Sequence, residues 1–167
     1  MAVRLAINGF GRIGRLVLRG ILESNRKDVE VVGINDLGSP EINRHLLKYD
    51  SVHGNLSDDI SVNGNILDVG TGPIKITAER DPEKLPWKEL QIDVALECTG
   101  LFTKREDAAK HLKAGAKKVL ISAPGTDADK TIVYGVNHNT LHGEDKIVSN
   151  ASCTTNCLAP VAFVLNK

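Results

Sequence analysis

Apolar residues fall in short blocks along the chain, and their spacing switches between a strand pattern and a helix pattern. Residues 3–7 are mostly apolar, as a strand buried on both faces would be. A glycine-rich turn follows, and Ile13, Leu16, Val17 and Ile21 then recur at helical spacing through residues 15–22. Residues 29–34 form a second apolar strand, ended by Asn35-Asp36. Strand, turn, helix and strand in this order make a βαβ unit. Residues 41–47 predict a short helix behind Pro40, a residue suited to a helix start. Residues 60–76 predict β-structure, with turns at Asn63-Gly64 and Thr71-Gly72-Pro73; the first is a strong hairpin signal. Further along, residues 82–90 predict a short helix, 94–98 a strand and 104–112 a helix. Residues 118–122, 132–136 and 147–149 predict strands, and 159–165 a buried helix. Such alternation predicts an α/β fold: a doubly wound, mostly parallel sheet with helices on both faces. Sheets of this kind bind ligands at the carboxyl ends of their strands.

Charge and cysteine content narrow the function. The 21 basic and 21 acidic residues of the 167-residue chain cancel, which removes the electrostatic case for nucleic acid or a membrane surface. No apolar run approaches the ~20 residues of a membrane span, and the N-terminus lacks the apolar stretch and cleavage site of a signal peptide. A cytoplasmic location is the default expectation. Cys98, Cys153 and Cys157 form neither a disulfide framework nor a metal-binding pair, so no metal is expected and the thiols are read as free.

Gly9-Phe10-Gly11-Arg12-Ile13-Gly14 follows a strand and opens a helix, the context that gives a GxGxxG pattern its meaning. Gly9 permits the tight turn, Gly11 lets a pyrophosphate approach the backbone, and Gly14 lets the helix pack on the strand. Exposed N–H groups at Arg12 and Ile13, helped by the helix dipole, favour the anion. Asp36 ends the next strand, where a carboxylate accepts hydrogen bonds from both adenosine ribose hydroxyls and repels a 2′-phosphate. The fold is therefore read as Rossmann-type, with NAD preferred over NADP. The bland alternative is a glycine turn that merely reverses the chain.

The second informative stretch is Ser149-Asn150-Ala151-Ser152-Cys153-Thr154-Thr155-Asn156-Cys157. A strand ends and a helix begins here, so Cys153 sits near a helix N-terminus, where the dipole stabilises a thiolate. Ser152 and Thr154 flank it with hydroxyls able to bind a phosphate or an oxyanion. Equally, cysteine is a common inert core residue and hydroxyl residues are ordinary helix caps. Cys157 is read as core and Cys98 as packing. None of His45, His53, His111, His138 and His142 is near Cys153 in sequence, and all five are read as surface or structural.

These residues together resemble a known family. Ala6-Ile7-Asn8-Gly9-Phe10-Gly11-Arg12-Ile13-Gly14-Arg15 is similar to the opening of glyceraldehyde-3-phosphate dehydrogenases. Tyr49-Asp50-Ser51-Val52-His53-Gly54, Glu97-Cys98-Thr99-Gly100-Leu101-Phe102 and Lys117-Lys118-Val119-Leu120-Ile121-Ser122-Ala123-Pro124 resemble later blocks, and the Cys153 stretch resembles the active-site signature. The resemblance implies an NAD-dependent phosphorylating aldehyde dehydrogenase of glycolysis, a homotetramer, acting on glyceraldehyde 3-phosphate and inorganic phosphate. It implies that Gly9, Phe10, Gly11, Arg12 and Ile13 hold the pyrophosphate, Asp36 the ribose, and that Arg80 sits by the adenine. Thr99, Phe102 and Ser122 would line the cofactor cleft, Ser152 and Thr154 would contact substrate or phosphate, and Cys153 would be the nucleophile.

The resemblance also divides the chain: residues 1–150 as the NAD-binding domain, and 151–167 as the cysteine helix that opens a catalytic domain. In the family the histidine base follows the cysteine in that domain, beyond residue 167; the chain is read as truncated and expected to be inactive alone. Gly125-Thr126-Asp127-Ala128-Asp129-Lys130 departs from the commoner loop of the family. Two rival readings stand. Erythrose-4-phosphate dehydrogenases are similar in the same blocks, but their second strand usually ends in Asn-Glu and a later motif reads Val-Asn-Gln, against Asn35-Asp36 and Val136-Asn137-His138 here. The other is an NAD-binding module that catalyses nothing.

Overall fold

The first strand, β1 (Val3–Asn8), turns Leu5 and Ile7 to one face of a sheet and Ala6 to the other. Leu5 and Ile7 pack with Leu18 of α1 (Arg12–Glu23), whereas Ala6 packs with Trp87 and Ile92. One strand thus feeds two cores. This computed structural model describes residues 2–167.

β2 (Val29–Asn35) lies parallel to β1. α2 (Pro40–Lys48) is capped by Ser39, whose side chain accepts the Ile42 N–H at 3.3 Å. β3 (Tyr49–Asp50) and β4 (Gly54–Asn55) make a small separate hairpin. β5 (Ser61–Asn63) and β6 (Ile66–Asp68) form the expected hairpin one residue later than predicted: Asn63 pairs with Ile66, and the loop is Gly64-Asn65, with Gly64 at φ +57°. β7 (Pro73–Thr77), β8 (Val94–Glu97), α3 (Arg105–Lys113), β9 (Lys118–Ile121), β10 (Lys130–Thr131), β11 (Ile147–Ser149) and α4 (Cys153–Leu165) follow.

Among the described residues the main sheet has nine strands in the order β10-β11-β9-β8-β1-β2-β7-β6-β5. Every pairing from β10 across to β7 is parallel, and β6 and β5 extend that edge antiparallel. The chain winds outward from β1 through β2 to β7, then returns to β8 and winds the other way. The order therefore reverses between β1 and β8, which opens a crevice at their carboxyl ends. The expected doubly wound, mostly parallel sheet is present.

Three predicted elements differ. Over residues 82–90 the expected helix is broken into a 3-10 turn, Pro82–Lys84, and a separate turn in which the Leu90 N–H donates to the Pro86 carbonyl at 3.0 Å, because Leu85 precedes Pro86 and is held extended at φ −69°, ψ 145°. The strand expected at 132–136 is displaced to Lys130–Thr131. There Asn137 takes the Val133 N–H (2.8 Å) and gives a hydrogen bond to the Thr131 carbonyl (3.0 Å), while Gly135 turns the chain at φ +87°. The helix at the end of the chain forms, but none of its residues is buried, and Leu158, Val161 and Phe163 are exposed. Ala159 and Pro160 are half-buried, while the larger apolar side chains stay outside the cores of the described residues. Cys157, read as core, is exposed with them.

Candidate functional site

The turn between β1 and α1 is tight on its inner side and open on its outer side. Gly9 has φ +89°, and a Cβ there would lie 2.7 Å from the Thr99 nitrogen. A Cβ on Gly14 would lie 2.3 Å from the Gly9 carbonyl oxygen. One on Gly11 would meet nothing within 4 Å. No side chain caps the first turn of α1, so its leading N–H groups face this open side without a protein acceptor. That is a cradle of the shape and polarity a pyrophosphate needs.

Asp36 closes one wall. Its carboxylate accepts the Phe10 N–H at 2.8 Å and the Gly38 N–H at 2.8 Å, which ties the end of β2 to the glycine turn. Two backbone donors leave acceptor capacity for a diol. Phe10 itself points inward: its ring is buried, its N–H is held by Asp36, and its carbonyl accepts from Arg15 at 2.9 Å. It supports the turn from beneath. The Arg12 guanidinium reaches away, to Asp50 at 2.9 Å. The His53 and Val52 N–H groups, and then Arg12, hold the Asp50 carboxyl well below the usual carboxylate range.

A cleft of about 370 Å³ lies over these strand ends, lined among others by Gly11, Asp36, Arg80, Thr99 and Phe102. A second, of about 340 Å³, is lined by Ile13, Ser122, Ser152 and Cys153. Cys98 lines both, so the two lie side by side with its thiol between them. Burial pushes that thiol up to about 11. The structure thus brings every predicted site residue except Phe10, Arg12 and Thr154 into the lining of one cleft or the other.

Cys153 is the first residue of α4 and is exposed. Ala151, at φ +58°, bends the chain just before it, a conformation that costs a non-glycine residue about 1–2 kcal/mol. The Ser152 hydroxyl accepts the Thr155 N–H at 3.0 Å and shares hydrogen bonds with the Thr154 and Thr155 hydroxyls, 2.9 and 2.7 Å away. It is the helix cap first, and any ligand contact must share it. No histidine lines the Cys153 cleft among the described residues.

Sequence reasoning missed the polar residues under the cleft. Asn8, Asn35, Glu97 and His111 are all buried. Asn35 donates to Asn8 Oδ1 at 2.7 Å, and Asn8 donates to Glu97 Oε2 at 2.6 Å. His111 Nε2 lies 2.9 Å from the same carboxylate oxygen, and the Trp87 indole N–H donates to His111 Nδ1 at 2.9 Å. The visible signal was a carboxylate ending the apolar strand of residues 94–98. His111, read as surface or structural, is buried within this run of hydrogen bonds.

No helix among the described residues is long and apolar enough to cross a membrane, and no group of three or more His, Cys, Asp or Glu side chains among them could hold a metal ion.

Fold and cleft are those of a dinucleotide-binding domain, with a cysteine at the rim of the second cleft. Residues 3–105 match the family described as glyceraldehyde 3-phosphate dehydrogenase, NAD binding domain, and the chain belongs to that family. It is similar to proteins named glyceraldehyde-3-phosphate dehydrogenase from Xanthobacter flavus, 64% identical over 99% of this chain and 50% of that protein, and from Cereibacter sphaeroides, 61% identical over 99% and 49%. The protein of that name from Geobacillus stearothermophilus is 58% identical over 100% of this chain and 50% of its own length. The chain spans about half the length of the curated relatives it matches.

Proposed function

We propose that the full-length protein is an NAD-dependent, phosphorylating glyceraldehyde-3-phosphate dehydrogenase, and that this chain supplies its cofactor cleft and its nucleophile. The observation that carries the reading is the pair of adjoining clefts at the switch point, one over the glycine turn and Asp36, the other edged by the exposed Cys153. Residues 1–150 are the cofactor domain, and 151–167 begin the catalytic part.

In this reading Gly9, Gly11 and the Arg12 and Ile13 N–H groups receive the pyrophosphate. Asp36 accepts the ribose hydroxyls and Arg80 lies by the adenine. Thr99 and Phe102 line the middle of the cleft, and Ser122 lines the side toward Cys153. Bound NAD supplies a hydride acceptor at this site. The Cys153 thiolate adds to the aldehyde carbon of glyceraldehyde 3-phosphate, and the carbonyl oxygen gains a proton to give a thiohemiacetal. Loss of a hydride and of that proton leaves a thioester on Cys153. An oxygen of inorganic phosphate then attacks the acyl carbon, the thiolate leaves, and 1,3-bisphosphoglycerate is released. Ser152 and Thr154 offer hydroxyls to the substrate phosphates. The proton acceptor is assigned to a histidine in the part of the protein outside this chain. A homotetramer working in the cytoplasm completes the proposal.

The test is NADH formation by the full-length protein from glyceraldehyde 3-phosphate, phosphate and NAD. Cys153→Ala is expected to lower kcat by at least about a thousandfold while NAD still binds. Near-normal turnover by that variant, or a strong preference for erythrose 4-phosphate, would refute the assignment. The 167-residue chain alone is expected to show little or no turnover.

A further inference from the structure

The buried polar chain under the cleft has a direction, and both of its ends enforce it. An indole N–H can only donate, so His111 Nδ1 must accept from Trp87, and the ring proton sits on Nε2, facing Glu97. At the far end, Asn35 Oδ1 accepts the Glu79 N–H at 2.8 Å and Asn35 Nδ2 donates to the Glu79 carbonyl at 2.8 Å. Backbone groups cannot exchange roles, so the Asn35 amide cannot flip. Its Nδ2 therefore meets Asn8 Oδ1, and Asn8 Nδ2 is turned to Glu97. Donors arrive at Glu97 Oε2 from both directions. The other oxygen, Oε1, accepts the Thr99 N–H at 2.8 Å and also the Thr99 hydroxyl. Only a carboxylate can accept at all of these places; a glutamine amide would set donor against donor on one side or the other.

This carboxylate shapes the cleft without lining it. Thr99 is held by both of its donors, and its hydroxyl oxygen then accepts the Leu101 N–H at 3.0 Å, which fixes the course of residues 99–101 along the cleft wall. The Thr99 nitrogen is also what Gly9 packs against. On the opposite wall, the same chain of bonds ends at Glu79, next to Arg80. Asn8, Asn35 and Glu97 lie at the carboxyl ends of β1, β2 and β8, so a single run of side chains joins the three strand ends that carry the cleft.

We infer that Glu97 is a positioning residue for the dinucleotide: from beneath the cleft, its carboxylate sets the Thr99 wall against the Gly9 turn and the Arg80 wall, so that NAD meets a preformed surface. The inference rests on the reading of this cleft as the NAD site.

The experiment compares wild-type full-length protein with Glu97→Gln and Trp87→Phe, using calorimetric NAD titration, steady-state kinetics and thermal melting. Folded Glu97→Gln is expected to bind NAD at least about tenfold more weakly, with KM for NAD raised and kcat changed less than threefold. Trp87→Phe cuts the run of hydrogen bonds at its His111 end and leaves Glu97 its Asn8 and Thr99 donors. It is expected to melt lower and still bind NAD within about twofold of wild type. Nitrogen-15 NMR of wild type should show His111 with its proton on Nε2. If Glu97→Gln does not fold, Glu97→Asp, which keeps the polarity and withdraws the carboxylate, decides the matter: about fivefold weaker binding supports the inference and unchanged binding overturns it. Glu97→Gln binding within twofold of wild type overturns it, as does an equal loss in Trp87→Phe. Wild-type protein that does not bind NAD overturns instead the reading of the cleft.

Discussion

Two glycines in one helix should respond to alanine in opposite directions. Gly14 and Gly20 both lie inside α1, where alanine is favoured over glycine by about 0.8–1 kcal/mol. Gly20 is exposed, and a Cβ there meets nothing within 4 Å, so Gly20→Ala should realise most of that gain. A rise in Tm of about 2–4 °C follows for a protein of this size. At Gly14 the same methyl would stand 2.3 Å from the Gly9 carbonyl oxygen and 2.9 Å from Ile7 Cγ2. The oxygen belongs to backbone whose next residue is pinned by Asp36 and by Arg15, so it cannot step aside alone. Overpacking of this kind costs about 3 kcal/mol at the upper end of its usual range. Less the propensity gain, Gly14→Ala should be destabilised by about 2 kcal/mol. The displaced turn should also weaken NAD binding more than tenfold, since a shift of about 1 Å at a positioned contact is worth that much. Denaturant melts of the three proteins, with NAD titrations beside them, make the comparison. A Gly14→Ala protein as stable as Gly20→Ala would refute the claim that close approach, and not helix preference, sets the residue at position 14.

Two further outcomes concern charge. Asp36→Ala should weaken NAD binding and narrow the preference over NADP, because it removes both the ribose acceptor and the repulsion of a 2′-phosphate. It also leaves the Phe10 N–H unpaired, for a loss of about 1–3 kcal/mol in the same melts; an unchanged NAD-to-NADP ratio would count against the role given to Asp36. Cys98 should make the fold sensitive to alkali. Its thiol is pushed up to about 11 in the folded state, so the unfolded chain gives up that proton first. The contribution is whole below the ordinary thiol pKa and is lost as pH rises through about 11, amounting to about 3 kcal/mol in full. Between pH 8 and pH 10, wild type should lose about 1 kcal/mol more stability than Cys98→Ala; parallel curves would remove Cys98 as the cause.

Much of this architecture was legible because the parallel strands are short, apolar and bounded by turn residues. β1, the glycine turn, α1 and β2 are readable for that reason; Asn63-Gly64 signals the β5–β6 hairpin, although its loop residues are Gly64 and Asn65, with positive φ at Gly64 alone of the two. Residues 82–90 differ from the expected helix because Pro86 bars the preceding residue from the helical region. Residues 132–136 misled because their β-branched side chains suit a strand, whereas Asn137, in contact across the turn, takes the ladder's hydrogen bonds. The exposed helix after Cys153 is apolar enough to read as buried, and its composition reports a packing surface that the described residues do not fill. Of the residues lining the two clefts, Gly9, Gly11 and Asp36 stand out in the sequence by motif and spacing, and Cys153 by its position at a helix start and by the family resemblance. Glu97 and His111 do not, because their partners Asn8, Asn35 and Trp87 come together only once the sheet has formed.

The fixed direction of that buried hydrogen-bond chain bears on how such a domain can drift over generations. Asn8, Asn35, Glu97 and His111 each depend on a neighbour's choice of donor or acceptor, so a change at one position creates a clash that another must answer. Single-step lineages through these sites pass through a weakened intermediate, and neutral exploration is closed there even though none of the four carries out chemistry. Surface positions such as those along α2 face no comparable barrier. The domain's freedom to vary is thus apportioned by the polarity of a few hydrogen bonds, as well as by the packing of its cores.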